Sequence, residues 1–212
     1  MDAPQTSEIR PGLWRIRLPF HLELNHVNVY LIRLAAEGGW MMVDTGFGNN
    51  ESWEALGASL DAIGVTWREV RELFITHTHP DHWGLAPRIL AESGAKLTMH
   101  AIEAANLRRL AEAVHKPSVL DKRLRSWGTP EDQILRITGA FLNIRQRFDA
   151  IVPGRVLQGG ETIETEALGP MGGGVHAGPF ARASVLVFGS RAFAHFRRPC
   201  VAQDHAAYFL DG

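Results

Sequence analysis

"FITHTHPDHWG", Phe74 to Gly84, decides how the rest of this chain is read. Three histidines and an aspartate lie between His77 and His82, directly after an apolar run. His77 and His79 are two positions apart, so on extended chain their side chains leave the same face. Pro80 then turns the chain, and Asp81 and His82 follow it. Imidazoles bind metals through ring nitrogens at about 2.0–2.1 Å. Imidazole and carboxylate donors without cysteine suit Zn²⁺, with Fe or Mn as alternatives. The expectation is one ion on His77 and His79, with Asp81 and His82 facing a second alongside. Metals about 3.5–4 Å apart can share a water, hold it as hydroxide at neutral pH and aim it at a carbonyl or phosphoryl group. A histidine-rich surface loop is the plainer reading, but it does not account for H-x-H-x-D-H closing an apolar strand.

The text around this loop alternates between strand and helix signals. "VRELFITHTH" reads as a strand that ends at the histidines. "GGWMMVDTGFG" is a short apolar run that stops at Asp44. Asp44 has two readings: a carboxylate that orients a ligand histidine, or the cap of the helix that follows. That helix, "NNESWEALGASLDAIG", carries Trp53, Leu56, Leu60 and Ile63 at helical spacing, with Gly64 as its stop. "GLWRIRLPF" alternates with period two, placing Trp14, Ile16 and Leu18 on one face. "HVNVYLIRL" and "AKLTMHA" read as further strands, and "GLAPRILAESG" as a short helix. From Ile102 to about Phe148 the text is mostly helical, with a break at Pro117. Its basic clusters, such as Arg108–Arg109 and Lys122–Arg123, read as solvated helix faces. "GRVLQGGETIE" reads as a hairpin turning at Gly159-Gly160. The pattern is α/β with hairpins instead of a regular βαβ ladder.

Bulk properties narrow the function classes. The chain has 212 residues, enough for a substantial core. Its net charge of −1 gives no clustered positive field, so nucleic acid is not an expected partner. The single cysteine, Cys200, excludes an intrachain disulfide and fits a reducing compartment. The first residues show no apolar segment after a basic start, so no signal peptide is expected and a cytoplasmic setting is. No run is long and apolar enough to span a bilayer, so no membrane partner is expected. A small-molecule substrate fits best, and nothing sets an oligomeric state.

"THTHPDHWG" resembles the signature of the metallo-β-lactamase superfamily of metallohydrolases. "NHVNVYLI", "GWMMVDTG" and "GAKLTMHA", at their spacing, are similar to its glyoxalase II-like branch. The resemblance covers roughly residues 10–165. It implies a four-layer αββα sandwich with a dinuclear zinc site at one edge. It also implies that His77 and His79 hold the first metal, and Asp81 and His82 the second. Asp81 would further steer the nucleophile or protonate the leaving group.

That pattern needs three more ligands: a histidine from a "TPGH" loop, a bridging aspartate from a "GDH"-like strand end, and a late histidine. None of these strings is present. After about Ala167 the text changes character. Residues 168–212 contain no Lys or Glu, two Asp and five of the ten Phe. The tail offers His176, His195, Asp204 and His205 as in-frame substitutes, with His176 the leading one; none follows a recognisable strand. The genetic code points elsewhere. Met171-Gly172 must be ATG-GGN, and one base later it reads TGG, necessarily Trp. In that frame the stretch from Met171 can spell W-x-x-x-x-T-P-G-H-S-P-G-H. His195 to Ala202 can spell I-S-G-D-H-V-L-P, and Asp204 to Leu210 can spell I-T-P-H-I-S-L. Open third bases leave some freedom in this reading, yet all the missing motifs fall in one shared frame. The chain is therefore divided into residues 1–167, the N-terminal part of a metallo-β-lactamase-like domain, and 168–212, a frameshifted tail.

The resulting expectation is a metal-dependent hydrolase by lineage, acting on a thioester or ester carbonyl, impaired here by lost ligands. Lactam hydrolysis ranks lower without an export signal, and an RNA-processing nuclease lower without a basic stripe. From another class, the chain could be an inactive fragment or binding module.

Overall fold

A computed structural model of the chain describes residues 6–20, 25–36, 38–115, 117–135, 139, 151–177 and 182–188. The chain opens with β1 (Thr6–Arg10), β2 (Leu13–Pro19), β3 (His26–Arg33) and β4 (Trp40–Val43), paired in order as an antiparallel meander. Three parallel strands extend the same sheet: β5 (Val70–Ile75), β6 (Lys96–His100) and β7 (Arg155–Leu157). The result is one seven-stranded sheet in sequence order. Parallel βαβ pairing therefore runs from β4 to β7, after the antiparallel meander.

Helices α1 (Asn50–Ile63), α3 (Ala86–Ser93) and α4 (Ala101–His115) link the parallel strands, with the single turn α2 (Pro80–Trp83) beside the histidine loop. Helix α5 (Pro117–Ser126) follows α4. The α1 spacing works as expected: Leu56 and Leu60 are buried, and Trp53 and Ile63 pack at the edge of the same cluster. Asn49 caps the helix by accepting from the Ser52 amide at 2.8 Å. Gly64 ends it in the left-handed conformation, at φ 79°.

Both faces of the large sheet are covered. Ile16, Leu18, Val29, Leu31, Met42, Leu73 and Leu97 form one core with residues of α1, α3 and α4. Leu13, Tyr30, Ile32, Met41, Val43 and Phe74 form the other, against Leu157, Ile163 and Met171. This explains the unbroken run Trp40–Val43: a central strand buried on both faces needs apolar side chains at every position. The opposing layer is a second sheet, β8 (Thr162–Thr165), β9 (Gly169–Ala177) and β10 (Arg182–Phe188), all antiparallel. The layers run helix, sheet, sheet, three of the four layers in an αββα sandwich.

Two local expectations are corrected. "GRVLQGGETIE" is not a hairpin: β7 pairs with β6 in the first sheet, and β8 pairs with β9 in the second. Gly159 and Gly160, both at positive φ, hand the chain from one sheet to the other. The start of the tail is also more regular than its sequence. Gly169–Ala177 is a strand, so His176 lies within one, opposite Ala183 of β10. The change of composition at 168 thus falls at the entry to a strand. His195, Asp204, His205 and Cys200 lie outside the described residues, as does the helical text beyond 139 up to 150.

Candidate metal centre

Parallel pairing sets Val43 beside Phe74, so β4 and β5 end together at the carboxyl edge of the sheet, where open α/β sheets hold their ligands. His77 follows β5 directly, and Asp44 follows β4. The Asp44 amide donates to the Phe74 carbonyl at 2.8 Å, and Asp44 is the only non-glycine at positive φ among the described residues, at 60°. This strained turn aims its carboxylate under the histidine loop.

The Asp44 carboxylate is buried and fully used. Oδ1 accepts from the Thr76 amide at 2.8 Å, and the Thr76 hydroxyl lies 2.9 and 2.8 Å from the two carboxylate oxygens. Oδ2 accepts from His82 Nδ1 at 2.8 Å. A carboxylate only accepts, so the Thr76 hydroxyl spends its proton there. Thr76 Oγ1 must then accept from His77 Nδ1, 3.0 Å away. Asp44 therefore fixes His82 directly and His77 through Thr76. In both rings Nδ1 carries the proton turned inward, and Nε2 is left to face the site. The cap of α1 is Asn49, so Asp44 has no capping role there.

The outward-facing nitrogens meet two further donors. His77 Nε2 is 3.1 Å from His79 Nδ1, and His82 Nε2 is 3.3 Å from Asp81 Oδ2. The His77 and His82 rings touch, with centroids 4.0 Å apart. His77 and His82 form a buried floor, while His79 is exposed and Asp81 partly so. Burial, with the neighbouring His82, pushes the His77 imidazole down to about 4. Burial also opposes charge on His82, but the Asp44 carboxylate, and Asp81 beside it, outweigh that and push it up to about 10. Burial likewise opposes charge on Asp81, but its hydrogen bond to His82 and the charge there hold its carboxyl below the usual range.

Two donors that bind one ion at about 2.0–2.1 Å in tetrahedral geometry stand about 3.3–3.4 Å apart. Both donor pairs match that spacing, and their chemistry suits a borderline cation. The residues present therefore fit a metal, two per ion. Among the described residues no group of three or more His, Cys, Asp or Glu side chains converges on one point. His176 stands on β9 by its backbone; its side chain is outside what is described.

Other residues that shape the site gave no signal in the sequence. Thr45 grips the far side of the loop: its amide and hydroxyl both donate to the His82 carbonyl, at 2.8 and 3.0 Å, and its hydroxyl accepts from the Leu85 amide. Gly84 lies in the ordinary right-handed region yet tolerates no side chain. A Cβ there would stand 2.4 Å from Gly48 N and 2.5 Å from the Pro80 carbonyl oxygen. Gly84→Ala is expected to cost about 1–3 kcal/mol, a Tm lower by roughly 2–12 °C. Thermal unfolding of the metal-free variant checks this, and an unchanged Tm would contradict the close approach.

The family model for the Metallo-beta-lactamase superfamily matches residues 22–181, and the chain belongs to that superfamily. The match runs past residue 167, through β9. Among solved structures the chain is similar to a metallo-beta-lactamase family protein from Thermus thermophilus, with TM-score 0.66 and 23% identity over 85% of this chain and 57% of that one. It is also similar to a beta-lactamase domain protein from Burkholderia ambifaria, with TM-score 0.61 and 22% identity over 88% and 53%. A beta-lactamase from Chitinophaga pinensis gives TM-score 0.52 and 20% identity over 88% and 58%. The chain thus spans little more than half the length of these proteins. No curated protein sequence matches it. Members of this superfamily are usually hydrolases and generally bind divalent metals. Among the described residues no helix is long and apolar enough to cross a membrane.

Proposed function

We propose that this chain is built on the plan of a metal-dependent hydrolase for a small thioester or ester, of the glyoxalase II-like kind and cytoplasmic setting. The observation that carries the reading is the pair of donor spacings, 3.1 Å for His77 and His79 and 3.3 Å for Asp81 and His82, at one sheet edge. In this reading His77 and His79 hold one divalent ion and Asp81 and His82 a second. Zinc is first choice, with iron or manganese as alternatives. Such a metal pair, when bound, supplies a hydroxide nucleophile at neutral pH and polarises the substrate carbonyl. The chain's own residues do the rest. Asp44 and Thr76 keep the Nε2 atoms of His82 and His77 turned to the site. Asp81, ionised on the open side, would take the proton of the attacking hydroxide and pass it to the departing thiolate or alkoxide.

The same reading makes the chain an impaired member. Catalytic zinc sites normally use three protein ligands and a water, and each pair here supplies two. A frameshifted tail from about residue 168 explains the missing third ligands, and an inactive remnant is the second reading.

Zinc content by elemental analysis and thioester hydrolysis by thiol release test both. The expected result is weak zinc retention, lost in His77→Ala with His79→Ala, and hydrolysis near background. Zinc content equal in the parent and the double variant would overturn the metal reading. Two tightly held ions with full hydrolysis would overturn the impairment.

A further inference from the structure

We propose that Glu103, together with Trp83, is a positioning residue that sets the bite between His77 and His79. This rests on the metal reading of those two histidines. Thr78 is the one residue between them, and both polar groups of its backbone are held from outside the loop. Its amide donates to Glu103 Oε2 at 3.0 Å. Its carbonyl accepts from the Trp83 indole Nε1 at 2.9 Å. Two side chains on either side of one bent residue keep their facing atoms at ligand spacing only while the intervening φ and ψ are held. Pinning N–H and C=O together removes that freedom, and the facing nitrogens stand 3.1 Å apart as a result.

Glu103 is an expensive choice for packing alone. It is 2% exposed, on the first turn of α4, directly beyond the end of β6. Among the described residues its hydrogen-bond partners are two neutral amides, Thr78 N and Asn106 Nδ2 at 3.1 Å. A buried carboxylate without a cationic partner costs several kcal/mol in general, and glutamine, with one accepting oxygen, could meet only one of these two donors. The carboxylate therefore has both oxygens engaged, one of them on the histidine loop. It lies against the peptide that joins two histidines aimed at a cation, where it strengthens a charge-assisted bond to the loop and favours positive charge nearby. Trp83 closes the other side: its ring is 2% exposed in the α-face core, so its indole N–H is aimed by packing.

The test uses the full chain in three variants, Glu103→Ala, Glu103→Gln and Trp83→Phe, with two readouts and a thermal melt. The first is Co²⁺ titration followed by visible absorption. The second is the imidazole ¹⁵N spectrum of the metal-free chain, which reports the hydrogen bond between His77 and His79. Glu103→Ala is expected to lose Co²⁺ affinity by about 10–100-fold and to lose the imidazole signature. Glu103→Gln, which still accepts from Thr78, keeps the signature and most of the affinity. Trp83→Phe shows a part of the alanine effect. A lower Tm in Glu103→Ala with both readouts unchanged overturns the proposal, since Glu103 would then be structural only. If the parent binds no Co²⁺ but the signature responds as described, the positioning role stands and the metal reading falls. If Glu103→Ala does not fold, the other two variants decide: an unchanged signature in Trp83→Phe overturns the clamp.

Discussion

Asp44→Ala is expected to cost the metal-free chain about 3–5 kcal/mol, because it strips the nearer of two carboxylates from a buried charged ring. That is a large share of the roughly 5–15 kcal/mol that holds a typical domain together. Three donors converge on Asp44: the Thr76 amide, the Thr76 hydroxyl and His82 Nδ1. Alanine leaves all three without an acceptor in a site closed to water, and it must also adopt φ 60°. Asp44→Asn is milder, since asparagine tolerates the left-handed region and keeps one oxygen for Thr76. What asparagine cannot do is balance the His82 charge.

The pH dependence separates those effects. His82 rises from its ordinary 6.5 to about 10 in the folded chain. The folded state then holds a proton that the unfolded state releases. The stability this gives is fully present below about pH 6.5 and is lost as pH rises toward 10. His77 falls from 6.5 to about 4, so its contribution is present above 6.5 and lost as pH falls toward 4. Metal-free protein should therefore be most stable near pH 6.5, with a falling limb on each side. Urea midpoints from pH 4 to 10 measure it. Asp44→Asn should flatten the alkaline limb and leave the acid limb in place. A parent chain equally stable at pH 6.5 and 10 would mean that His82 and Asp44 are not paired as described.

Much of the arrangement was legible because its signals are local. H-x-H-x-D-H after an apolar strand states which side chains share a loop, and the apolar run at Trp40–Val43 states a strand ending at Asp44. Asp44 was visible as a carboxylate at a strand end, but its two roles could not be separated without knowing that β4 and β5 are parallel neighbours. Glu103 was invisible for a related reason. It lies 25 residues beyond Thr78, in helical text where a glutamate is ordinary, and only the β6–α4 junction brings it to the loop. The Gly159-Gly160 pair misled because two glycines permit either a hairpin or a crossing between sheets, and pairing partners decide which. The tail misled because glycine- and alanine-rich text carries no period-two contrast, while strand pairing is a property of backbone and neighbours.

Re-encoding the tail in the frame one base later, from about Met171, is expected to change function more than any single substitution. The argument is one of ligand number. In the proposed site the pairs His77/His79 and Asp81/His82, with facing atoms 3.1 and 3.3 Å apart, would each give two ligands to one ion. A third imidazole completes the first set, and a bridging carboxylate supplies the charge that keeps two cations close. The shifted frame can spell both, as T-P-G-H and S-G-D-H, with the late histidine in I-T-P-H. Structure at the junction is compatible with the change. β9 begins at Gly169 and pairs with β8 through Gly172, so a chain that diverges near Met171 still enters the second sheet in register. The re-encoded chain should hold two zinc ions. Its thioester hydrolysis should rise from background to an enzymatic range of about 1–10³ s⁻¹. The nucleotide sequence from codon 160 onward comes first, because the open third bases must spell those motifs for the experiment to have a target. If they do, and the re-encoded protein still binds no more zinc than the parent, the missing ligands were never in that frame. His176 and its neighbours on β9 would then become the residues to substitute.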